Sequence, residues 1–441
     1  MRAARTLATV VVISLVLVTA SAYSQSSATG VTEFSVNGLK VLAKQRPGSQ
    51  TVAAGLFFRG GSSNITPANS GIEALMLDLA SEASENFPLA RMRRELSRLG
   101  TQIGSGVNFD YSALTLGATR QAFDRSWEIF TDAALRPSFA PEDFDRVKGR
   151  RLLNLRSEGD SPDSLLQILQ ERASFTGHTY ANSPDGTVES VSRITLDDVR
   201  RYHQKLLRTS QLLLVVVGDV DPQTLRQKVQ ASFSAMPEGS YVAPSVPPLS
   251  FREPSLGVTA RDLPTNYVQG IFAAPSLTSP DIYAMRAAGA ILGDRVFEEV
   301  RVKRSLSYAP EVSIGSRAAN LGSIYVTAVD ANQAVQVMLT EIGKLQTENV
   351  DAELIGGIVQ QFLTQHYLSE ETNAAQAGIL AQNELIGGGW RNGSEFLDRV
   401  RAVTPADVRR VANTYIHNIQ FVVVGNPQRI DRLVFLRQPG R

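Results

Sequence analysis

The chain has 441 residues, contains no cysteine, and nearly balances 44 Lys and Arg against 43 Asp and Glu. The balanced charge argues against a protein that binds nucleic acid through phosphate contacts, because such proteins carry a basic excess. Without cysteine the chain has no thiol catalysis, no disulfides and no cysteine-based zinc site. Its histidines are too far apart to form a multi-histidine metal site on one helix; they are His178, His203, His366 and His417.

The first 22 residues have the pattern of a secretory signal peptide. Arg2 and Arg5 precede an apolar segment at 7–18, and the small residues at 20–22 form a cleavage site. An uncleaved membrane anchor is the less favoured alternative, because the apolar segment is shorter than a spanning helix needs. The sequence therefore predicts an exported protein with no membrane association unless this segment is retained. In a Gram-negative bacterium such a protein would be periplasmic.

The elements that follow predict an α+β domain. Asn37-Gly38 is a two-residue hairpin turn within residues 34–43. The order of strands first, helices next and a last strand predicts helices packed on one face of a sheet. The predicted strands are 52–58, 101–116 and 212–217, and the predicted helices are 72–79, 89–99, 123–135, 141–156 and 164–172.

The second half of the chain repeats features of the first. Residues 194–201 recur as 403–410, and in both copies a threonine precedes a helix that has an aspartate three residues after that threonine. Each helix leads to a strand that ends in Val-Val-Val-Gly, at 215–218 and at 422–425. The common order and the near-constant offset predict two homologous domains.

A proline-rich segment separates the two copies. Five prolines between 237 and 254 exclude a helix or a central strand there and indicate an extended linker. The predicted organisation is a signal peptide at 1–22, a first domain at 31–236, the linker at 237–254 and a second domain at 255–436.

The order of these features resembles the insulinase/pitrilysin family of zinc peptidases, the inverted zincins, over nearly the whole chain after residue 30. The similar parts are the threonine-capped helix, the Val-Val-Val-Gly strand that follows it, and the linker. The nearest subgroup comprises bacterial two-domain subunits related to mitochondrial processing peptidase. The resemblance implies two α/β-roll domains, each a mainly antiparallel sheet with helices on one face.

The family binds zinc with H-x-x-E-H on a helix of the first domain and with a glutamate further along the chain. Here Gly71-Ile72 resembles the lead-in to that motif. The histidine positions then fall on Ala74 and Asp78, the general-base glutamate on Leu77, and the distal glutamate near Asn154. Alanine and leucine have no lone pair for a metal, so we expect no zinc and no catalytic residue in this chain.

Two neighbouring acidic residues, Glu73 and Glu82, are the candidate substitute ligands. Glu73 lies out of line with Asp78 on the helix, so a shared metal site is disfavoured. Both side chains are interpreted as surface acids of an amphipathic helix.

A second family segment is better preserved. Residues 301–308 resemble the family pattern R-E-x-x-G-L-x-Y, with Arg301 and Tyr308 at its ends and with Val302 and Ser305 in place of glutamate and glycine. In the family this pair binds the substrate backbone and the oxyanion at the scissile carbonyl. Without the resemblance, an ordinary surface arginine and a half-buried tyrosine would be the favoured interpretation.

The resemblance implies a non-catalytic subunit of a heterodimeric zinc metallopeptidase. A catalytically active insulinase-family partner would supply zinc and base, and this chain would bind an unfolded peptide in trans through Arg301 and Tyr308. The peptide would add as a strand to a sheet edge at 103–116. Two alternatives stay open: a peptide-binding or scaffolding protein with no enzymatic partner, and an independent hydrolase with unfamiliar catalytic residues.

Overall fold

The computed structural model describes residues 30–437 and residue 439. The predicted signal peptide lies outside these residues. Within the described part of the chain, no helix is both long and apolar enough to cross a membrane.

The strands fall into two groups along the chain. They are β1 (Val31–Val36), β2 (Leu39–Gln45), β3 (Thr51–Arg59), β4 (Gln102–Val107), β5 (Tyr111–Thr119), β6 (Leu212–Gly218), β7 (Ser255–Ala260), β8 (Asn266–Ala273), β9 (Glu311–Ile314), β10 (Leu321–Ala328) and β11 (Gln420–Gly425).

The helices lie between and after these strands. They are α1 (Ile72–Glu82), α2 (Leu89–Leu99), α3 (Phe123–Leu135), α4 (Pro141–Ser157), α5 (Pro162–Phe175), α6 (Val188–Arg193), α7 (Leu196–Leu206), α8 (Pro222–Phe233), α9 (Asp281–Val296), α10 (Ala331–Thr347), α11 (Ala352–Ser369), α12 (Asn373–Ile386), α13 (Phe396–Arg401), α14 (Pro405–Tyr415) and α15 (Arg432–Phe435).

The two sheets have the same topology. The first has the order β1-β2-β6-β3-β5-β4 and the second β7-β11-β8-β10-β9, so the second matches the first without β1. In each sheet one pair is parallel, β2 with β6 and β7 with β11, and the other pairs are antiparallel. The predicted fold class, two homologous α+β domains with mainly antiparallel sheets, is confirmed. Between Phe233 and Ser255, where the linker was predicted, the chain forms no helix or strand.

Local signals in the sequence correspond to specific turns. Asn37 and Gly38 join β1 to β2 with φ angles of 45° and 78°, the left-handed pair that a type I′ turn requires. Gly100, at φ 61°, ends α2 where the pattern placed its end.

The single long strand predicted for 101–116 is wrong, because the segment is a hairpin of β4 and β5. The side chain of Asn108 accepts hydrogen bonds from the backbone N–H groups of Asp110 and Tyr111, and this side-chain turn reverses the chain. As a result β4 is the edge strand, while β5 is paired on both sides.

Each domain covers one sheet face with its own helices and the other with a helix from the other domain. Helix α5 of the first domain packs on β8 and β11, and its counterpart α12 of the second domain packs on β3 and β6. Leu166 of α5 is buried with Val422 and Val424. Leu380 of α12 is buried against Phe57. The two domains are therefore joined by a reciprocal, pseudo-symmetric exchange of helices.

Candidate functional site

Helix α1 lies where the family resemblance placed the zinc-binding helix. It begins after Gly71, whose φ is 88° and whose added Cβ would lie 2.9 Å from the backbone oxygen of Asp185. Glycine is therefore required for both the conformation and the close approach of the loop. Ala74 and Leu77 are fully buried on this helix and carry only alkyl groups.

Asp78, at the second histidine position, is already bound by other side chains. One carboxylate oxygen accepts a hydrogen bond from Ser105 Oγ at 2.7 Å, and the other accepts one from Arg151 Nη1 at 3.0 Å. Arg151 also donates through Nη2 to Asp185 at 3.1 Å. A guanidinium thus bridges two carboxylates and compensates their charge.

Asn154, at the distal glutamate position, is solvent-exposed on α4, one turn beyond Arg151. Further along, burial and the negative charge of Asp185 raise the pKa of Glu158. Burial also raises the pKa of Asp185, and the charge of Asp78 adds to this while Arg151 opposes it.

These residues do not fit zinc. The first histidine and glutamate positions are alkyl, and both oxygens of Asp78 are engaged. No three His, Asp or Glu side chains of the described residues are placed to hold a metal ion.

Glu73 corrects the interpretation of this helix as carrying only surface acids. Its side chain is 3% exposed and accepts hydrogen bonds from Ser112 Oγ and, at 2.6 Å, from Tyr202 OH. Burial raises the pKa of Glu73, against the lowering effect of these hydrogen bonds. The sequence contains a signal for the burial of Glu73, because Met76, Leu77 and Ala80 lie on the same helical stripe and all are apolar. Glu82, by contrast, forms ion pairs with arginines of α4.

Arg301 and Tyr308 come together on the surface of the second domain. Helix α9 runs directly into a π-helical turn at Phe297–Val302 that carries Arg301. The guanidinium carbon lies 4.2 Å from the ring centroid of Tyr308 and 4.9 Å from that of Phe297. Tyr308 is 78% exposed, so the half-buried position considered for it is wrong.

Arg301 differs from the basic residues beside it. Lys303 and Arg304 both form ion pairs with Glu299. Arg301 forms none with any described residue and is held by the two aromatic faces instead. Its N–H donors are therefore available to another molecule.

Ser305 preserves the turn for which the family uses glycine. Its φ is 53°, in the left-handed region, and its N–H donates to the backbone oxygen of Arg301 at 3.1 Å. The next N–H, of Leu306, donates to Val300 at 2.9 Å. This reversal brings Tyr308 back onto Arg301 although the residue is no longer glycine.

Two family models match the chain over most of its length. Residues 40–183 match the model described as insulinase (peptidase family M16), and residues 193–362 match the one described as peptidase M16 inactive domain. The chain belongs to the insulinase family.

Relatives within this family differ in what their names say. A protein from Streptomyces coelicolor named as an uncharacterized zinc protease is 23% identical over 391 residues, 85% of this chain and 84% of that protein. A protein from Helicobacter pylori named as a non-peptidase homolog is 22% identical over 340 residues, 75% of this chain and 74% of that protein. The mitochondrial-processing peptidase subunit beta of Blastocladiella emersonii is 21% identical over 403 residues, 88% of this chain and 86% of that protein.

The fold agrees with a solved structure of the family. The crystal structure of a peptidase M16 inactive domain from Pseudomonas fluorescens has a TM-score of 0.82 at 18% identity, and the match covers 90% of this chain and 98% of that one. The chain thus has the two-domain fold of this family.

Proposed function

We propose that this chain is the non-catalytic subunit of a heterodimeric zinc metallopeptidase that cleaves unfolded peptides. A partner with an intact H-x-x-E-H helix supplies the zinc and the general base. This chain supplies Arg301 and Tyr308, which bind the substrate backbone and the developing oxyanion in trans. The observation that carries the proposal is the half-buried, unpaired Arg301 guanidinium stacked on the exposed ring of Tyr308.

The surroundings of the pair support contact with another chain. Phe297 and Val302 are 42% and 57% exposed on the same turn, an unusual density of apolar side chains at a surface. Arg301 and Tyr308 are residue types that dominate binding energy at protein interfaces.

The edge strand β4 supports a peptide-binding role. Its outer side has no partner strand in the described sheet, and it contains Gly104, Ser105 and Gly106. A Cβ added at Gly106 would meet nothing within 4 Å, so another backbone has room to approach. An extended peptide can add to such an edge through main-chain hydrogen bonds.

The name of one relative, the mitochondrial-processing peptidase subunit beta, denotes one subunit of a larger enzyme. This name supports a division of labour between chains. The alternative, a scaffolding protein with no enzymatic partner, is supported by the relative named as a non-peptidase homolog.

The test is to reconstitute this chain with an insulinase-family partner that retains H-x-x-E-H and to measure cleavage of an unfolded peptide. We expect zinc in the partner, no activity from either chain alone, and cleavage by the pair. Arg301→Ala and Tyr308→Phe should each lower kcat/KM by about 10²-fold, the effect of a lost oxyanion donor.

Matched controls are available on the same chain. Arg304→Ala removes an arginine that is already paired with Glu299, and Tyr367→Phe alters another exposed tyrosine; both should leave the rate unchanged. Full activity in both the Arg301 and Tyr308 variants would refute the in-trans role. Stable binding of peptide by a chain that joins no active partner would favour the scaffolding function.

A further inference from the structure

A cavity of about 610 Å³ lies within the second domain, away from Arg301 and Tyr308. It is bounded by α9, β9, α11, α12 and α13. Its volume is in the range of sites for small organic ligands, about 300–1,000 Å³.

The internal repeat places this cavity at the counterpart of the degenerate zinc position. Helix α9 corresponds to α1, strand β9 to β4 and helix α11 to α4, and the contacts within each set are the same. In the first domain Arg151 and Asp78 join α4 to α1 across this space. In the second domain no such ion pair joins the counterpart helices, and Ala290 and Gly293 present little side chain to the cavity.

Arg286 of α9 carries a charge without a counterion at one end of the cavity. Its Nη2 donates to Ser316 Oγ at 3.2 Å, and its guanidinium carbon lies 5.1 Å from the ring centroid of Phe396. Among the described residues no carboxylate pairs with it, and burial lowers its pKa. A half-buried arginine fork with free donors is suited to bind a carboxylate.

Asp294 carries the opposite charge at the exposed end. It lines the same cavity eight residues further along α9, which corresponds to about 12 Å of helix rise. Its carboxylate forms no hydrogen bond or ion pair with a described side chain, and burial raises its pKa. The cavity thus has an unpaired cation at one end and an unpaired anion at the other.

We infer that this cavity binds a short peptide with free termini. The peptide carboxylate binds Arg286 and the ammonium group lies toward Asp294. Three extended residues span about 10 Å, which suits this separation. The walls combine apolar side chains, Ile282 and Phe362, with amides that can bond a peptide backbone, including Gln382. The inference does not depend on a partner enzyme.

The test is calorimetric titration of the full chain with the tripeptide alanyl-leucyl-alanine and its blocked forms. We expect the free peptide to bind, and the C-terminal amide and the N-acetyl form each to bind at least about tenfold more weakly, because each loses a charge-assisted contact. Absence of binding at millimolar free peptide, or equal binding of free and blocked peptides, would overturn the inference.

Variants locate the site. Arg286→Met should abolish the preference for a free carboxylate, and Asp294→Asn the preference for a free amine. Arg401→Met, which alters an exposed arginine paired with Asp398, should change neither. Arg286→Lys retains the charge and serves if the methionine variant misfolds; it should still prefer the free carboxylate. Unchanged affinities and preferences in the Arg286 and Asp294 variants would place binding elsewhere and refute the proposal.

Discussion

Arg151 is a cationic side chain that two carboxylates of the first domain share. Its guanidinium binds Asp78, at a predicted ligand position of the family, and also Asp185, so both carboxylates have a counterion. A guanidinium donates hydrogen bonds but offers no open coordination position, and it cannot lower the pKa of a bound water as zinc does. The charge of both carboxylates is thereby compensated by a side chain of the same domain.

Glu73 gives a pH prediction. Burial raises its pKa above the ordinary value of 4.5, so the folded chain binds this proton more tightly than the unfolded chain. The stability it contributes is therefore present below pH 4.5 and is lost as the pH rises through the folded-state pKa. Glu73→Gln should raise the free energy of unfolding at pH 7.5, and the gain should vanish below pH 4.5.

Urea denaturation of both proteins across this pH range measures the difference. Glu189→Gln, at an exposed acid paired with Arg193, is the matched control and should show no pH-dependent gain. A variant that is less stable than the wild type at pH 7.5 would mean that the ionised form of Glu73 is the one the fold requires.

Ser305 gives a prediction about backbone strain. The left-handed conformation at φ 53° costs a non-glycine residue about 1–2 kcal/mol of folding free energy. Glycine avoids this cost, but its greater conformational freedom in the unfolded chain offsets part of the gain in stability. Ser305→Gly should raise the free energy of unfolding by about 0.5–1 kcal/mol. Ser307→Gly, two residues on and without a positive φ, should lower it. Equal effects of the two substitutions in chemical denaturation would contradict the assignment of strain to Ser305.

At the scale of single elements, the two threonine-capped helices behave as copies. Thr195 Oγ1 accepts from the N–H of Asp198, whose carboxylate accepts from the N–H of Thr195, and Thr404 and Asp407 repeat both bonds. Each box satisfies two N–H groups that a helix start would otherwise leave unpaired. The predicted caps of α7 and α14 are confirmed.

The caps can be tested in parallel. Thr195→Ala and Thr404→Ala should each lower the free energy of unfolding by about 1 kcal/mol, because both remove the same type of bond. Thr340→Ala, on an exposed face within α10, should be neutral or slightly stabilising because alanine is the better helix former. Thermal denaturation of the three variants checks this, and a cost at Thr340 equal to that at the caps would argue against capping.

For the molecule as a whole, the exchange of α5 and α12 makes the two domains dependent on each other. Each helix fills the second face of a sheet in the other domain, so neither sheet is fully covered by its own domain. The buried strands β6 and β11, apolar on both faces, require this arrangement. We expect the two domains to unfold together.

Calorimetry of two core variants tests this coupling. Leu166→Ala and Leu380→Ala should each lower the free energy of unfolding by about 2–5 kcal/mol and shift one common transition. Leu153→Ala, at a residue 64% exposed on α4, should have little effect. Two separate transitions, with only one displaced in each variant, would show that the domains unfold independently.

The sequence by itself determined the local and repeated features. Interactions between residues close in the chain determine the hairpin at Asn37-Gly38, the end of α2 at Gly100 and the capping boxes. The recurrence of such local patterns in the second half of the chain indicates the two copies of one fold. The absence of a metal-binding or basic side chain at Ala74 and Leu77 also follows from the sequence, because it depends only on residue type. The β4–β5 turn does not follow from the apolar pattern, because the side-chain hydrogen bonds of Asn108 determine where the chain reverses.

Only the tertiary structure decided which charges meet. Asp78 pairs with Arg151, which is far from it in the chain, and packing decides that Glu73 is buried. The tertiary structure likewise stacks Arg301 on Tyr308 and leaves Arg286 and Asp294 without a charged partner among the described residues. Such contacts depend on how helices are placed on the sheets, which no local pattern specifies. The exchange of α5 and α12 is the clearest case, because the surface each helix covers belongs to the other copy of the fold.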